Sequence, residues 1–459
     1  MSDLLELRAV FDKGLVSDGG GSVRYLLIEA RAREPLDLSC YDADSPCDMN
    51  MKAGAALNLV LVIDASGSMS GTRIAEAKRA ASQIVKGLGG RDYISVVSFA
   101  EDVIVHVDGR LCDVNGKRAV LSAIKDIEIR GSTNLCEGWL AGARCAGRVM
   151  EMRGGLKSHV LVLSDGRANL GTTDPGVLAV HAQQLQIRGL TTSAIGIGED
   201  YSTEQLYTMA VHGGGVVHHT PNSDELVAVV CGELEGLRRR AVENLELTIS
   251  YPPEVTVELL SFLPSEFACA NKGKLLVNLG GISSQACRSL VLRVKVAEQD
   301  DQHKGLIKFN IVGHYRQSNG EEAELTTRPL QANLRYADYD LSSAQAVNLT
   351  EVLKIAEIWQ SWLIWETCEM NRRRNYQKIE RFLGREERYM KRFCGSLAEA
   401  QPLLKEVKEL RRQACIDWDE ASRKEIQSSS YRRSYEISDM RTISPRQWQT
   451  YLPGSTGSA

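Results

Sequence analysis

The chain has 459 residues, room for two to four domains, and its 43% hydrophobic and 25% charged content is that of an ordinary soluble globular protein. A formal net charge of −4 argues against a general nucleic-acid binder, and eleven scattered cysteines without CxxC spacing read as reduced thiols rather than a disulfide framework or a zinc site. The opening "MSDLLELRAVFDKGL" lacks an apolar signal core and no run of about 18 uncharged apolar residues follows, so a cytoplasmic chain is expected, with no membrane or nucleic-acid partner.

In chain order, residues 1–50 read as a β segment, with "VRYLLIEARA" its best strand. Residues 51–241 alternate strand and helix. "LNLVLVID" is a buried strand and "RIAEAKRAASQIVKGL" an amphipathic helix. "DYISVVSFA" and "DVIVHVDG" lie one short turn apart, which predicts an antiparallel pair. "KRAVLSAIKDI" and "LCEGWLAGARCAGRVMEM" are helices, and "SHVLVLSDG" is a strand. Helix "DPGVLAVHAQQLQIRG", strand "LTTSAIGIGE", helix "STEQLYTMAVHGG", strand "GVVHHT" and helix "SDELVAVVCGELEGLRRRAV" complete the region. Continuous apolar strands between amphipathic helices predict a mostly parallel sheet covered on both faces. Residues 242–336 then read as an antiparallel β-sandwich, through "NLELTISYPP", "VTVELLSF", "KLLVNLG", "RSLVLRVKV" and "LIKFNIVGHYR". The first fifty residues are expected to join it, which would make the α/β domain an insertion.

Residues 337–426 read as helical. "LTEVLKIAEIWQSWLIWETCEM" sets Val352, Ile355, Ile358, Trp359, Trp362 and Leu363 on one stripe, to be buried against the sandwich, a second copy or a partner. A basic helix, "NRRRNYQKIERFLGREERYMKRF", and a further helix from "LLKEVKEL" follow. Residues 427–459 are expected to be disordered.

The chemistry concentrates in "LVLVIDASGSMSG". Asp64 ends an apolar strand, and Ser66 and Ser68 follow at two-residue intervals. In an open α/β sheet, ligands sit beyond the carboxyl ends of the strands, where strand order reverses. "GSTNL" offers Thr133 before a helix, and "LVLSDG" offers Asp165 at another strand end. Asp64, Ser66, Ser68, Thr133 and Asp165 all present oxygen, which suits Mg²⁺, Mn²⁺ or Ca²⁺ over zinc or copper. Gly67 and Gly71 are expected to relieve backbone strain in the loop.

Together the DxSxS loop, the Thr of "TNL" and the Asp of "SDG" resemble the von Willebrand factor type A (VWA) domain and its metal-ion-dependent adhesion site. The resemblance covers about 185 residues of the chain. It implies a doubly wound, mostly parallel six-stranded α/β sheet with one antiparallel edge strand, and a divalent cation, usually Mg²⁺. It implies direct ligation by the hydroxyls of Ser66, Ser68 and Thr133, action largely through water for Asp64 and Asp165, and an open position for a partner's Asp or Glu. The β regions around it resemble the layout of inter-alpha-trypsin-inhibitor heavy-chain-like and bacterial calcium-activated-chloride-channel-like proteins.

Enzymatic patterns are incomplete. "GSMSG" centres on Met69 where a nucleophile elbow needs Ser. "GGLKS" and "GIGED" lack the residues of phosphate loops. His212, His218 and His219 read as ordinary surface or core histidines. The expectation is a non-enzymatic interaction protein that captures a partner carboxylate through Mg²⁺, with self-association through the helical arm as a further option. An extracellular adhesin and an accessory subunit of an ATPase-driven or metal-insertion machine are the alternatives.

Overall fold

The computed structural model describes residues 4–19, 21–33, 56–154, 156–165, 168–197, 203–220, 236–261, 268–271, 273–297, 305–317, 324–395 and 397–418, with 423 and 426. The predicted tail at 427–459 and most of the helix predicted from Ser223 lie outside them.

The α/β layer is a six-stranded sheet. Its strands are β4 (Leu57–Asp64), β5 (Tyr93–Phe99), β6 (Val103–Leu111), β7 (Lys157–Ser164), β8 (Leu190–Ile197) and β9 (Gly214–Thr220), ordered β6-β5-β4-β7-β8-β9. Only β6, at the edge, runs antiparallel. The expected sheet, with its antiparallel edge strand, is therefore present. Period-two alternation splits β4 between two cores. Leu57, Leu59, Leu61 and Ile63 pack toward α1 (Thr72–Gly87) and α2 (Val114–Lys125). Val60 and Val62 face α3 (Leu135–Met152), with α4 (Pro175–Ile187) and α5 (Thr203–His212) covering the same side. Helix α3 approaches closely because Gly138 and Gly142 lack side chains: a Cβ at either would lie 2.5 Å from Phe99 or 2.6 Å from Val62.

Strands on either side of this layer in sequence form a β-sandwich. One sheet has order β1-β3-β14-β11, from Leu5–Phe11, Ser22–Ala32, Cys287–Val296 and Thr256–Leu259. Strand β3 pairs with β14 over ten residues, from Ser22↔Val296 to Arg31↔Cys287. The α/β layer thus falls, in sequence, between two adjacent strands of one sheet. The second sheet runs β12 (Ala268–Asn271), β13 (Lys274–Ser283), β10 (Arg240–Ser250), β15 (Ile307–Gln317), β17 (Leu330–Ala337) and β2 (Leu15–Ser17), with β16 (Glu324–Thr326) beside β15. It departs from the antiparallel expectation at one place, where β2 joins β17 in parallel. Leu26, Ile28 and Leu292 of the first sheet meet Leu247, Ile249 and Phe309 of the second.

The opposite face of β3 and β14, carrying Tyr25, Leu27 and Val291, is covered by helices. After the short α6 (Tyr339–Ala344) come α7 (Leu349–Arg372), α8 (Tyr376–Cys394) and α9 (Gln401–Gln413). Val352, Ile355, Ile358, Trp359 and Leu363 are buried, with Ile355, Ile358, Trp359 and Leu363 in the same apolar cluster as that sheet face. Trp362 is only half-buried and packs edge-on against Phe382. Of the three covers expected for the stripe, it is the sandwich that these residues pack against. The basic helix starts later than predicted: the chain breaks at Arg373–Asn375, with Arg374 at φ 54°.

A buried ion pair fastens this layer. Arg293 of β14 is 2.5 Å from Glu386 of α8, and both side chains are essentially inaccessible to solvent. Trp359 Nε1 donates to the same carboxylate at 3.0 Å, and Arg293 Nη1, which also reaches Glu386, donates to Glu258 at 2.9 Å. The guanidinium lies over the rings of Tyr389 and Trp359, 4.3 and 4.7 Å from their centroids. Removing Glu386 leaves the buried guanidinium only Glu258, which it shares with Lys295. Glu386→Ala should therefore lower stability by roughly 3–5 kcal/mol, read from denaturant midpoints with tryptophan fluorescence.

At the amino ends of the parallel strands the two units are tied together. Asp92 accepts from Leu57 N–H at 2.9 Å and is paired with Arg238 at 2.5 Å. Lys157 Nζ donates to the Arg240 carbonyl at 2.7 Å. Burial lowers the Lys157 ammonium from 10.5 to about 8; Glu243 opposes this, and Arg240 and Arg238 add to it. Below about 8 the folded and unfolded chains both hold the proton; between about 8 and 10.5 only the unfolded chain does, so stability at this site rises with pH in that window. The wild type should gain stability relative to Lys157→Met as pH is raised through it, measured by urea denaturation across a pH series.

Candidate functional site

Strands β5 and β7 flank β4 on opposite sides, so the order reverses beside β4. The carboxyl ends of β4 and β7 therefore open a crevice. Asp64, the last residue of β4, is fully buried. Its Oδ1 accepts the Ser66 N–H at 2.9 Å, and its Oδ2 accepts the Ser164 hydroxyl at 2.6 Å. Burial raises the Asp64 pKa; the bonds from Ser164 and Ser66 act against this, and the charge of Asp165 adds to it.

Beyond Asp64 the chain makes one short 3₁₀ turn, Gly67–Met69, with Met69 buried in the sheet core as its anchor. Ser66 is buried, Ser68 is exposed, and their hydroxyls stand 3.1 Å apart. Ser68 Oγ also donates to Asp165 Oδ1 at 2.8 Å. Gly71 at φ 82° precedes α1 in a backbone conformation that favours glycine. Gly67 needs no such freedom: a Cβ there would make only ordinary contact, 3.7 Å from the Gly131 carbonyl. The strain argument holds for Gly71 alone.

The loop before α3 is stitched to this turn. Gly67 N–H donates to the Gly131 carbonyl at 2.9 Å, and Arg130 N–H to the Ala65 carbonyl at 2.7 Å. Thr133 is buried in that loop. Its N–H donates to Asn169 Oδ1 at 2.9 Å, and its carbonyl accepts from the N–H groups of Asn169 and Leu170. Asp64, Ser66, Ser68 and Asp165 are thus joined through hydrogen bonds, and Thr133 is held by backbone bonds to the segment that follows Asp165. His212 lies elsewhere, its Nδ1 2.9 Å from the Thr208 carbonyl. Among the described residues no group of three or more His, Cys, Asp or Glu is placed to hold a metal. The donor set at the crevice is two carboxylates and neighbouring hydroxyls, which fits a hard cation.

Two participants escaped the sequence reading. Ser164 tethers Asp64 from the neighbouring strand, and its one signal was its place in "LSDG". Arg73, in the first turn of α1, sets Nη1 2.6 Å from Asp165 Oδ2. Nothing in "SGTRIAE" marks that arginine.

A doubly wound sheet with this constellation at its switch point defines a VWA domain, and the sequence profile of the von Willebrand factor type A domain matches residues 58–230. Residues 58–230 of the chain thus form a VWA domain. It is 25% identical over 207 residues to the mouse inter-alpha-trypsin inhibitor heavy chain H3, a match covering 44% of this chain and 23% of that one. It is 27% identical over 207 residues to the protein YfbK of Escherichia coli, covering 44% and 35%. An uncharacterized Synechocystis protein is 24% identical over 246 residues, covering 52% and 57%. The chain therefore spans little more than half, or less, of these relatives. Among solved structures, a von Willebrand factor type A protein from Catenulispora acidiphila superposes with a TM-score of 0.65 at 18% identity, over 94% of this chain and 98% of that one. The ArnB paralog VWA2 from Sulfolobus acidocaldarius gives 0.55 at 15% identity, over 94% and 99%. The fold shared with both extends through nearly the whole chain.

The Ser164 hydroxyl donates to Asp64 Oδ2 from the neighbouring strand. Ser164→Ala should cost about 1–3 kcal/mol, measured by thermal unfolding in the absence of divalent cations.

Proposed function

We propose that this chain is a non-enzymatic interaction protein whose VWA domain holds one divalent cation and uses it to capture an Asp or Glu carboxylate of a protein partner. Asp64, Ser66, Ser68, Thr133 and Asp165 would hold the ion, with Mg²⁺ or Mn²⁺ preferred and Ca²⁺ next. The observation that carries this reading is the convergence of two solvent-excluded carboxylates and the Ser66 and Ser68 hydroxyls at the strand-order reversal. When bound, the cation supplies the attraction for an incoming carboxylate. The chain's own residues supply the rest. Ser164 and the Ser66 amide orient Asp64, the Ser68 hydroxyl orients Asp165, and Asn169 fixes the backbone of Thr133.

Cys112, Cys136, Cys145, Cys287, Cys394 and Cys415 are free thiols, all but Cys415 buried, which favours a reducing, cytoplasmic setting over an extracellular adhesin. No helix of the described residues is long and apolar enough to cross a membrane. The sandwich and its helices serve as a platform for the binding domain.

Calorimetry on the full chain should show saturable Mg²⁺ or Mn²⁺ binding that is lost in the Asp64→Ala/Ser66→Ala double variant. Equal binding by that variant would place the ion elsewhere. In pull-downs, EDTA and Thr133→Ala should each abolish partner recovery; recovery indifferent to both would show that this site does no recognising.

A further inference from the structure

We propose that Arg73 is a built-in counter-ion that competes with the divalent cation for Asp165 and thereby sets the affinity of the site; this rests on the metal-binding reading above. Asp165 has no solvent exposure, and both of its oxygens are engaged. Oδ1 takes the Ser68 hydroxyl at 2.8 Å, and Oδ2 takes Arg73 Nη1 at 2.6 Å. The same nitrogen lies 3.4 Å from the Ser68 carbonyl, so the guanidinium spans the metal loop and the end of β7. Asp64 is equally buried, and its charge acts on the same locality as that of Asp165.

Two buried carboxylates without a nearby cation repel each other and are costly to hold in the interior. Arg73 relieves this in the cation-free domain. Its side chain remains 33% exposed, so it reaches in from the rim and regains hydration on withdrawing into water. An arriving divalent ion meets the opposite situation. It must either displace a positive charge from Asp165 or be bound beside it, and both weaken binding. The arginine thus stabilises the empty domain and raises the cation concentration needed to fill the site.

The test compares the full-length wild type with Arg73→Met, Arg73→Gln and Arg73→Lys. Arg79→Met removes one charge from an exposed position of the same helix and serves as the control for net charge. Titration calorimetry with Mg²⁺ and Mn²⁺ is run beside melting curves in EDTA and in Mg²⁺. Arg73→Met and Arg73→Gln should bind each ion on the order of tenfold more tightly. They should melt below the wild type in EDTA and show a larger Mg²⁺-induced rise in melting temperature. Arg73→Lys and Arg79→Met should stay near wild-type affinity. Unchanged or weaker binding in both neutral variants would overturn the proposal, as would an equal gain in Arg79→Met. Absence of saturable binding in the wild type would instead overturn the metal-site reading, so the two failures are distinguishable.

Discussion

Two carboxylates that water does not reach, at or next to the ends of neighbouring parallel strands, impose the geometry of the crevice. An ionised carboxylate in the interior costs several kcal/mol unless its lone pairs are met by donors. Asp64 and Asp165 find these donors on several elements: the Ser66 amide and Ser68 hydroxyl from the turn, the Ser164 hydroxyl from β7 and the Arg73 guanidinium from α1. The turn can deliver two of them only by folding back over the strand end. Met69 pins it into the core, and the Gly67–Gly131 bond fixes its height against the neighbouring loop. The arrangement of hydroxyls around the crevice is thus largely the solution to burying charge there.

What the sequence disclosed follows the range of the interactions involved. The parallel strands were legible because both faces are covered, leaving uninterrupted apolar runs such as that before Asp64. The DxSxS spacing was legible because it lies within one turn. Arg73 and Ser164 were not, because their partners are 92 and 100 residues distant and each looks locally like any polar residue. Strand β17 escaped because "LQANLRYA" mixes Gln, Asn and Arg with its apolar positions, and half of it faces solvent. The break after α7 was placed a few residues early because "NRRRN" holds neither glycine nor proline, and arginine is a good helix former. Arg374 itself takes the left-handed conformation, which arginine seldom adopts.

The helical layer also contacts the VWA domain. Tyr207 of α5 packs its ring against Trp365 of α7, 4.2 Å between centroids. Two residues earlier on α5, Gln205 accepts the Ala168 N–H at 3.1 Å and donates to the Thr173 carbonyl at 3.1 Å. Ala168 belongs to the segment that follows Asp165. The platform therefore touches the helix that braces one wall of the crevice, while Arg293 and Glu386 hold the platform's own layers in register.

The insertion has a mechanical meaning. The ties between the two units, Asp92 with Arg238 and Lys157 with the Arg240 carbonyl, lie at the amino ends of β5 and β7, whereas the crevice lies at the opposite ends of β4 and β7. A tensile load between a partner gripping the crevice and the sandwich would run along the strand axes. The ladder bonds joining β4 to β5 and to β7 would then be strained together in shear, not opened one by one like a zipper. Should the crevice hold a partner, that shear geometry would set the direction in which the domain resists being pulled apart.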